Sequence, residues 1–243
     1  MRLLVEHDTD GGLKLPINYH HILQSIIYAS LDTDSAYGKL IHDRENRDEN
    51  RAYKFFNFSL IKGKYQVSGK NIVFPERVHY EIRSIYPEFI DMLAKNMEKN
   101  GIRYGDKIIK DVTLKKEDRT VEEKDITVRM LSPVTVHRTD MESKKTYFPS
   151  PEEELFKELV RDNFHRKYAA YSGSPPDSEI EIIPLKVNSR DKYVTNYKDF
   201  YISGWWGIYR LKGERKYLDF LYQTGLGNRN SQGFGMFEVM EED

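Results

Sequence analysis

The densest run of residues suited to chemistry lies near the C-terminus: Gly225-Leu226-Gly227-Asn228-Arg229-Asn230-Ser231-Gln232-Gly233-Phe234-Gly235. Its glycines and asparagines permit left-handed and extended backbone that other residues resist. Such a backbone can turn successive N–H groups toward one point and make an anion nest. Arg229 adds a planar charged fork that matches phosphate. The run is not a P-loop, because no Gly-Lys-Ser/Thr follows, and it does not open a helix as a dinucleotide fingerprint does. The same composition also serves a plain helix-to-strand connection.

Histidine is the second source of chemistry, since its ordinary pKa of about 6.5 lets it act as acid or base near neutrality. His20 and His21 are adjacent and cannot share one helix face, whereas His21 and Tyr28 are seven apart and do. The pair reads as ligand contacts, ordinary helix residues or candidate catalytic groups. His79, His137 and His165 are scattered singly and read as structural. No His-Glu-x-x-His or carboxylate–histidine cluster is present, no Gly-x-Ser-x-Gly supports a serine triad, and no cysteine offers a thiolate or a disulfide. Neither a metal nor another cofactor is expected.

These residues have to be carried by elements that can be read from periodicity and punctuation. Arg2 to Glu6 reads as a strand, and Ile17 to Leu31, opened by Pro16, as a helix with Ile22, Leu23, Ile26, Ile27 and Leu31 on its buried side. A short helix over Ser35 to His42 and a polar loop over Asp43 to Asn50 follow. Strands are expected at Phe55 to Ile61, Asn71 to Phe74 and His79 to Ser84. Pro87 opens a helix that Gly101 stops, and Ile108 to Leu114 is expected to close the half. The order strand, helix, strand, strand, helix, strand is ferredoxin-like. It then repeats: strand Ile126 to Leu131, helix Glu152 to Tyr168, strands Glu179 to Leu185 and Trp205 to Leu211, helix Glu214 to Thr224, strand Phe234 to Val239. The expected fold is α+β, with two tandem ferredoxin-like (RRM-like) βαββαβ domains over residues 1–121 and 122–243.

Composition bounds the partners. The 243 residues carry a net charge of −1, so any phosphate-binding surface must be local. The stretch from Trp205 to Gln232 supplies one, with Arg210, Lys212, Arg215, Lys216 and Arg229 against Glu214 and Asp219. Seventeen tyrosines suit base stacking and equally a sheet-rich core. No apolar run approaches the ~18 residues of a membrane span, and the polar first residues do not form a signal peptide, so a cytoplasmic protein is expected.

The glycine run near the C-terminus and the tandem ferredoxin-like order together resemble the repeat-associated RNA-binding superfamily of CRISPR systems. Within it, the chain is most similar to the crRNA-processing endoribonucleases, the sixth numbered Cas protein. Leu15-Pro16-Ile17-Asn18-Tyr19-His20-His21-Ile22-Leu23-Gln24-Ser25-Ile26-Ile27-Tyr28 resembles that family's first helix, His42 falls where archaeal-type members keep a catalytic histidine, and Lys54-Phe55-Phe56-Asn57-Phe58-Ser59-Leu60 resembles the strand bearing their catalytic lysine. The resemblance implies cleavage within CRISPR repeat RNA without a metal, leaving a 5′-hydroxyl and a 2′,3′-cyclic phosphate. It also implies a guide handed to a CRISPR effector complex, and a monomer or homodimer with no membrane contact. By the same resemblance His42 is general base or acid, Lys54 stabilises the charge developing on phosphorus, and Tyr28 positions a group or transfers a proton. Read without it, His42 would be an exposed residue at a helix C-terminus, Tyr28 a core side chain and Lys54 a surface charge. A relative that binds repeat RNA without cutting it would carry the same loop.

Overall fold

The computed structural model describes residues 1–31, 53–197 and 200–241, which form two compact units, Met1–Arg119 and Thr120–Asp243. The helix expected at Ser35 to His42 and the loop after it lie outside the described residues, as does His42 itself.

In the first unit β1 (Arg2–His7), α1 (His20–Ala29), β2 (Phe56–Phe58), β3 (Val78–Ser84), α2 (Pro87–Asn100) and β4 (Thr113–Glu117) follow one another. The strands form an antiparallel sheet in the order β2-β3-β1-β4. The order is set by apolar alternation: Leu3 faces Ile82, Val5 faces Tyr80 and Phe58 faces Ile82 across the ladders, all buried. Leu23, Ile26 and Ile27 of α1 and Phe89, Ile90, Leu93 and Met97 of α2 complete this core. Phe56 stacks on Phe89 with ring centroids 4.9 Å apart.

The second unit repeats the plan with β5 (Asp125–Met130), α3 (Glu154–Ser172), β6 (Glu181–Lys186), β7 (Ile208–Lys212), α4 (Arg215–Thr224) and β8 (Phe237–Val239), its sheet ordered β6-β7-β5-β8. Two βαββαβ units with the same strand permutation are tandem ferredoxin-like folds.

Four differences from the sequence reading have a clear local reason. Helix α1 starts at His20 rather than Ile17, because Leu13–Pro16 pairs with Asn71–Phe74 as a strand and Ile17 N–H donates to Lys70 O at 3.0 Å. The strand expected at Ile108 to Leu114 is divided between a tight hairpin, Ile102–Tyr104 with Lys107–Ile109, and β4 beyond it. The strand expected at Trp205 to Leu211 is also two. Phe200–Trp205 folds back on Lys192–Tyr197, and Gly207, at φ +124° with Lys186 O 2.7 Å from where a Cβ would sit, separates that hairpin from β7. Strand β8 begins three residues later than Phe234, since Gly235 N–H is committed to Pro133 O at 2.9 Å.

The first unit's core depends on the Phe56–Phe89 stack. Phe89→Ala is expected to cost about 3–5 kcal/mol, read as a lowered urea midpoint at unchanged slope.

Candidate functional site

Two places gather the residues singled out above, one in each unit. In the first, Tyr28 stands on the last turn of α1 and Lys54 on the segment entering β2. Lys54 Nζ donates to Tyr28 Oη at 2.6 Å and lies 4.7 Å from the centre of its ring. Tyr28 in turn meets the ring of Phe56 edge-on, with centroids 6.1 Å apart, so the pair rests on the core of the unit while staying half-buried. Between Lys54 and the strand, Phe55 adopts φ +48°. A bulky residue takes that left-handed conformation only when its surroundings hold it there. Phe55 is buried, its carbonyl accepts from Ser84 Oγ at 3.0 Å, and its ring meets Tyr86 edge-on. The result is an ammonium fixed against a phenol, a cation beside a group that can orient or relay a proton.

The two histidines of α1 separate. His20 is 1% exposed, so its imidazole offers no surface to RNA. His21 is exposed, and its Nδ1–H donates to Asn18 O at 2.8 Å.

In the second unit the glycine run joins α4 to β8. Gly225, Gly227, Gly233 and Gly235 all have positive φ, as does Arg229 at +60°. The reason is space as much as conformation. A Cβ on Gly227 would sit 2.6 Å from Thr135 O, one on Gly225 2.6 Å from the amide of Asn230, and one on Gly235 on top of Leu226 O. The loop in which the composition allows an anion nest is a packed knot. Leu226 N–H donates to Gly235 O, Asn228 N–H to Thr135 O and Gly233 N–H to Asn230 O, at 2.8–3.0 Å. Asn230, expected to touch RNA, is turned inward: its Nδ2 donates to both Leu226 O (3.1 Å) and Phe234 O (3.0 Å). The half-exposed tip is formed by Asn228, Arg229, Ser231 and Gln232, with Arg229 Nη1 donating to Gln232 Oε1 at 3.0 Å.

Three side chains hold this tip, two of them absent from the sequence reading. Asn163 and Lys167 lie one turn apart on the buried face of α3; Asn163 Nδ2 donates to Asn228 Oδ1 at 2.5 Å, and Lys167 donates to Gly225 O and Asn230 Oδ1. His137 meets Asn228 from another side, at 3.2 Å. The signal that could have found the first two is a polar i, i+4 pair on the stripe of Phe156, Val160 and Phe164. Among the described residues no group of three or more histidine, aspartate or glutamate side chains could hold a metal ion, and no helix is long and apolar enough to cross a membrane.

Comparison with known proteins adds to this geometry. The family model described as "CRISPR associated protein Cas6, C-terminal" matches residues 114–239, more than half of the chain.

The chain belongs to the Cas6 family.

Two curated Cas6 proteins align along nearly all of it. One is the CRISPR-associated endoribonuclease Cas6 1 of Methanocaldococcus jannaschii, 26% identical over 100% of this chain and 94% of its own. The other is the CRISPR-associated endoribonuclease Cas6 of Pyrococcus furiosus, 25% identical over 97% of this chain and 88% of its own. A solved structure of a CRISPR-associated Cas6 protein superposes with a TM-score of 0.77 at 25% identity, over 99% of both chains. The match over both units agrees with the tandem ferredoxin-like order seen here.

The Cas6 loop's shape gives a paired prediction. Gly235→Ala should destabilise the protein by at least about 2 kcal/mol, because a left-handed alanine and a backbone collision add. Gly105→Ala, also left-handed but with open space around it, should cost only about 1 kcal/mol. Urea unfolding of the two variants measures the difference.

Proposed function

We propose that this protein is a metal-independent endoribonuclease that cuts CRISPR repeat RNA, using the 2′-hydroxyl next to the scissile phosphate as nucleophile. Membership of the Cas6 family supports the substrate, and the observation that supports the chemistry is the Lys54–Tyr28 contact beside the core of the first unit. A base removes the 2′-hydroxyl proton, the oxygen attacks phosphorus, the bond to the 5′-oxygen breaks, and an acid returns a proton to that oxygen. A 2′,3′-cyclic phosphate and a 5′-hydroxyl remain.

In this reading His42 is the general base or acid, since imidazole titrates near neutral pH. Lys54 sets its positive charge beside the crowded phosphorane, where negative charge grows. Tyr28, fixed by Lys54, positions the nucleophile or passes a proton. RNA is held at the loop tip by Asn228, Arg229, Ser231 and Gln232, with Arg229 as the phosphate fork. Gly225, Gly227, Gly233, Gly235 and Asn230 serve the same contact by shaping the loop, and His21 adds a contact from the exposed side of α1. The guide then passes to a CRISPR effector complex in the cytoplasm, from a monomer or homodimer.

Single-turnover cleavage of labelled repeat RNA in EDTA tests the assignment. His42→Ala should lose roughly 10²–10⁴ in rate, and Lys54→Met about 10²–10³, with RNA affinity little changed. Full activity in both variants would remove the proposed catalytic group. RNA bound tightly but never cut by the wild type would replace it with a binding function.

A further inference from the structure

The catalytic reading leaves unused a buried cation that no carboxylate faces among the described residues. Lys167 is 2% exposed, on the face of α3 that otherwise carries Phe156, Val160 and Phe164. Its ammonium donates to the carbonyl of Gly225 and, at 3.0 Å, to Asn230 Oδ1, while the ring of Phe220 of α4 covers it with its centre 5.8 Å away. Both acceptors are neutral. Titratable and charged groups on α4, the loop and the segment beside it have other partners: Tyr217 with Asp177, Asp219 with the N–H of Val121, Arg229 with Gln232, and His137 with Asn228. Among the described residues no carboxylate pairs with Lys167.

A cation buried without a counter-charge is costly. Burial accordingly pushes the Lys167 pKa down to about 7, so the folded protein keeps a lysine that is charged in part at neutral pH. Two of the atoms it holds, Gly225 O and Asn230 Oδ1, belong to the loop that bears Arg229. A phosphate at the loop tip would bring the negative charge that the site lacks.

We propose that Lys167 is a positioning residue for RNA: charged, it braces Gly225 and Asn230 from beneath and favours a phosphate at the tip, so that RNA binding and protonation of Lys167 reinforce each other. The proposal rests on the loop being an RNA contact. Linkage fixes the sign, because a ligand that prefers the protonated form raises that group's pKa and is itself bound more tightly where the proton is on. Affinity is then greatest below the Lys167 midpoint and falls as pH rises through it, about tenfold for each unit by which RNA lifts the midpoint.

The experiment measures Kd for fluorescent repeat RNA blocked by a 2′-deoxy nucleotide at the cut, in EDTA at fixed ionic strength, from about pH 6 to 9. Wild type, Lys167→Met and Arg229→Ala are compared. Wild type should lose about tenfold more affinity across that interval than Lys167→Met. Parallel curves for those two, with Arg229→Ala binding more weakly, would overturn the role of Lys167 and leave the loop as an RNA contact. No RNA binding by wild type, or no effect of Arg229→Ala, would overturn the loop reading and this proposal with it. If Lys167→Met does not fold, the carbon-13 shift of Lys167 Cε in the wild type decides. RNA should raise its titration midpoint by about one unit, and an unmoved midpoint would overturn the proposal.

Discussion

A backbone carbonyl taken out of water has to find a donor, and the glycine loop of the second unit is arranged around that requirement. Leu226 and Phe234 are fully buried, as are Phe237 and Met236 beyond them, so the loop cannot leave its carbonyls to solvent. Asn230 supplies both hydrogens of its amide to Leu226 O and Phe234 O, and Lys167 supplies Gly225 O and fixes the amide's own oxygen. Two side chains therefore close the knot. The glycines follow from it, because backbone drawn this close leaves no room for a Cβ at Gly227 or Gly235, and the inward-turned Asn230 side chain leaves none at Gly225. Arg229 and its neighbours stay half-exposed as a consequence, on a left-handed turn that the packing underneath holds in place.

The first unit meets a different demand. On the proposed reading it has to hold a lysine near a tyrosine on a separate element, and it does so where Tyr28 of α1 meets Phe56 of β2. Phe56 serves both purposes, since it faces Tyr28 on one side and Phe89 on the other. The left-handed Phe55 between it and Lys54 is the strained point of this arrangement. Ser84 and Tyr86 hold Phe55 in that conformation, as a left-handed bulky residue requires.

Much of this was legible in the sequence, for physical reasons that also explain what was not. Alternation in Leu3, Val5, Phe56, Phe58, Tyr80 and Ile82 reports a half-buried sheet directly, and Pro87 and Gly101 mark the ends of α2 by backbone chemistry alone. Leu13–Pro16 escaped because two alternating pairs are too few to outweigh the helical pattern that follows. Trp205 to Leu211 fused two strands because apolar residues run through Gly207 without a break, and the crowding that forces the turn comes from Lys186 and Val187, distant in sequence. The loop was recognisable as unusual, yet glycine read alone suggests freedom, whereas here it records the absence of space. Lys167 was passed over for the complementary reason: a lysine on an amphipathic helix reads as solvent-facing until its place on the buried stripe and the carbonyl oxygens it meets are seen. The contact of Tyr28 with Lys54 joins residues on different elements, and spacing along the chain could not deliver it.

The most direct test of the account is the fate of the substrate's own 2′-hydroxyl. Repeat RNA cleaved in EDTA should yield a 2′,3′-cyclic phosphate and a 5′-hydroxyl, and a single 2′-deoxy substitution at the cut should abolish cleavage while leaving binding intact. Products ending in a 3′-hydroxyl and 5′-phosphate, or continued cutting of the deoxy substrate, would contradict it, because the attacking oxygen would then have come from water.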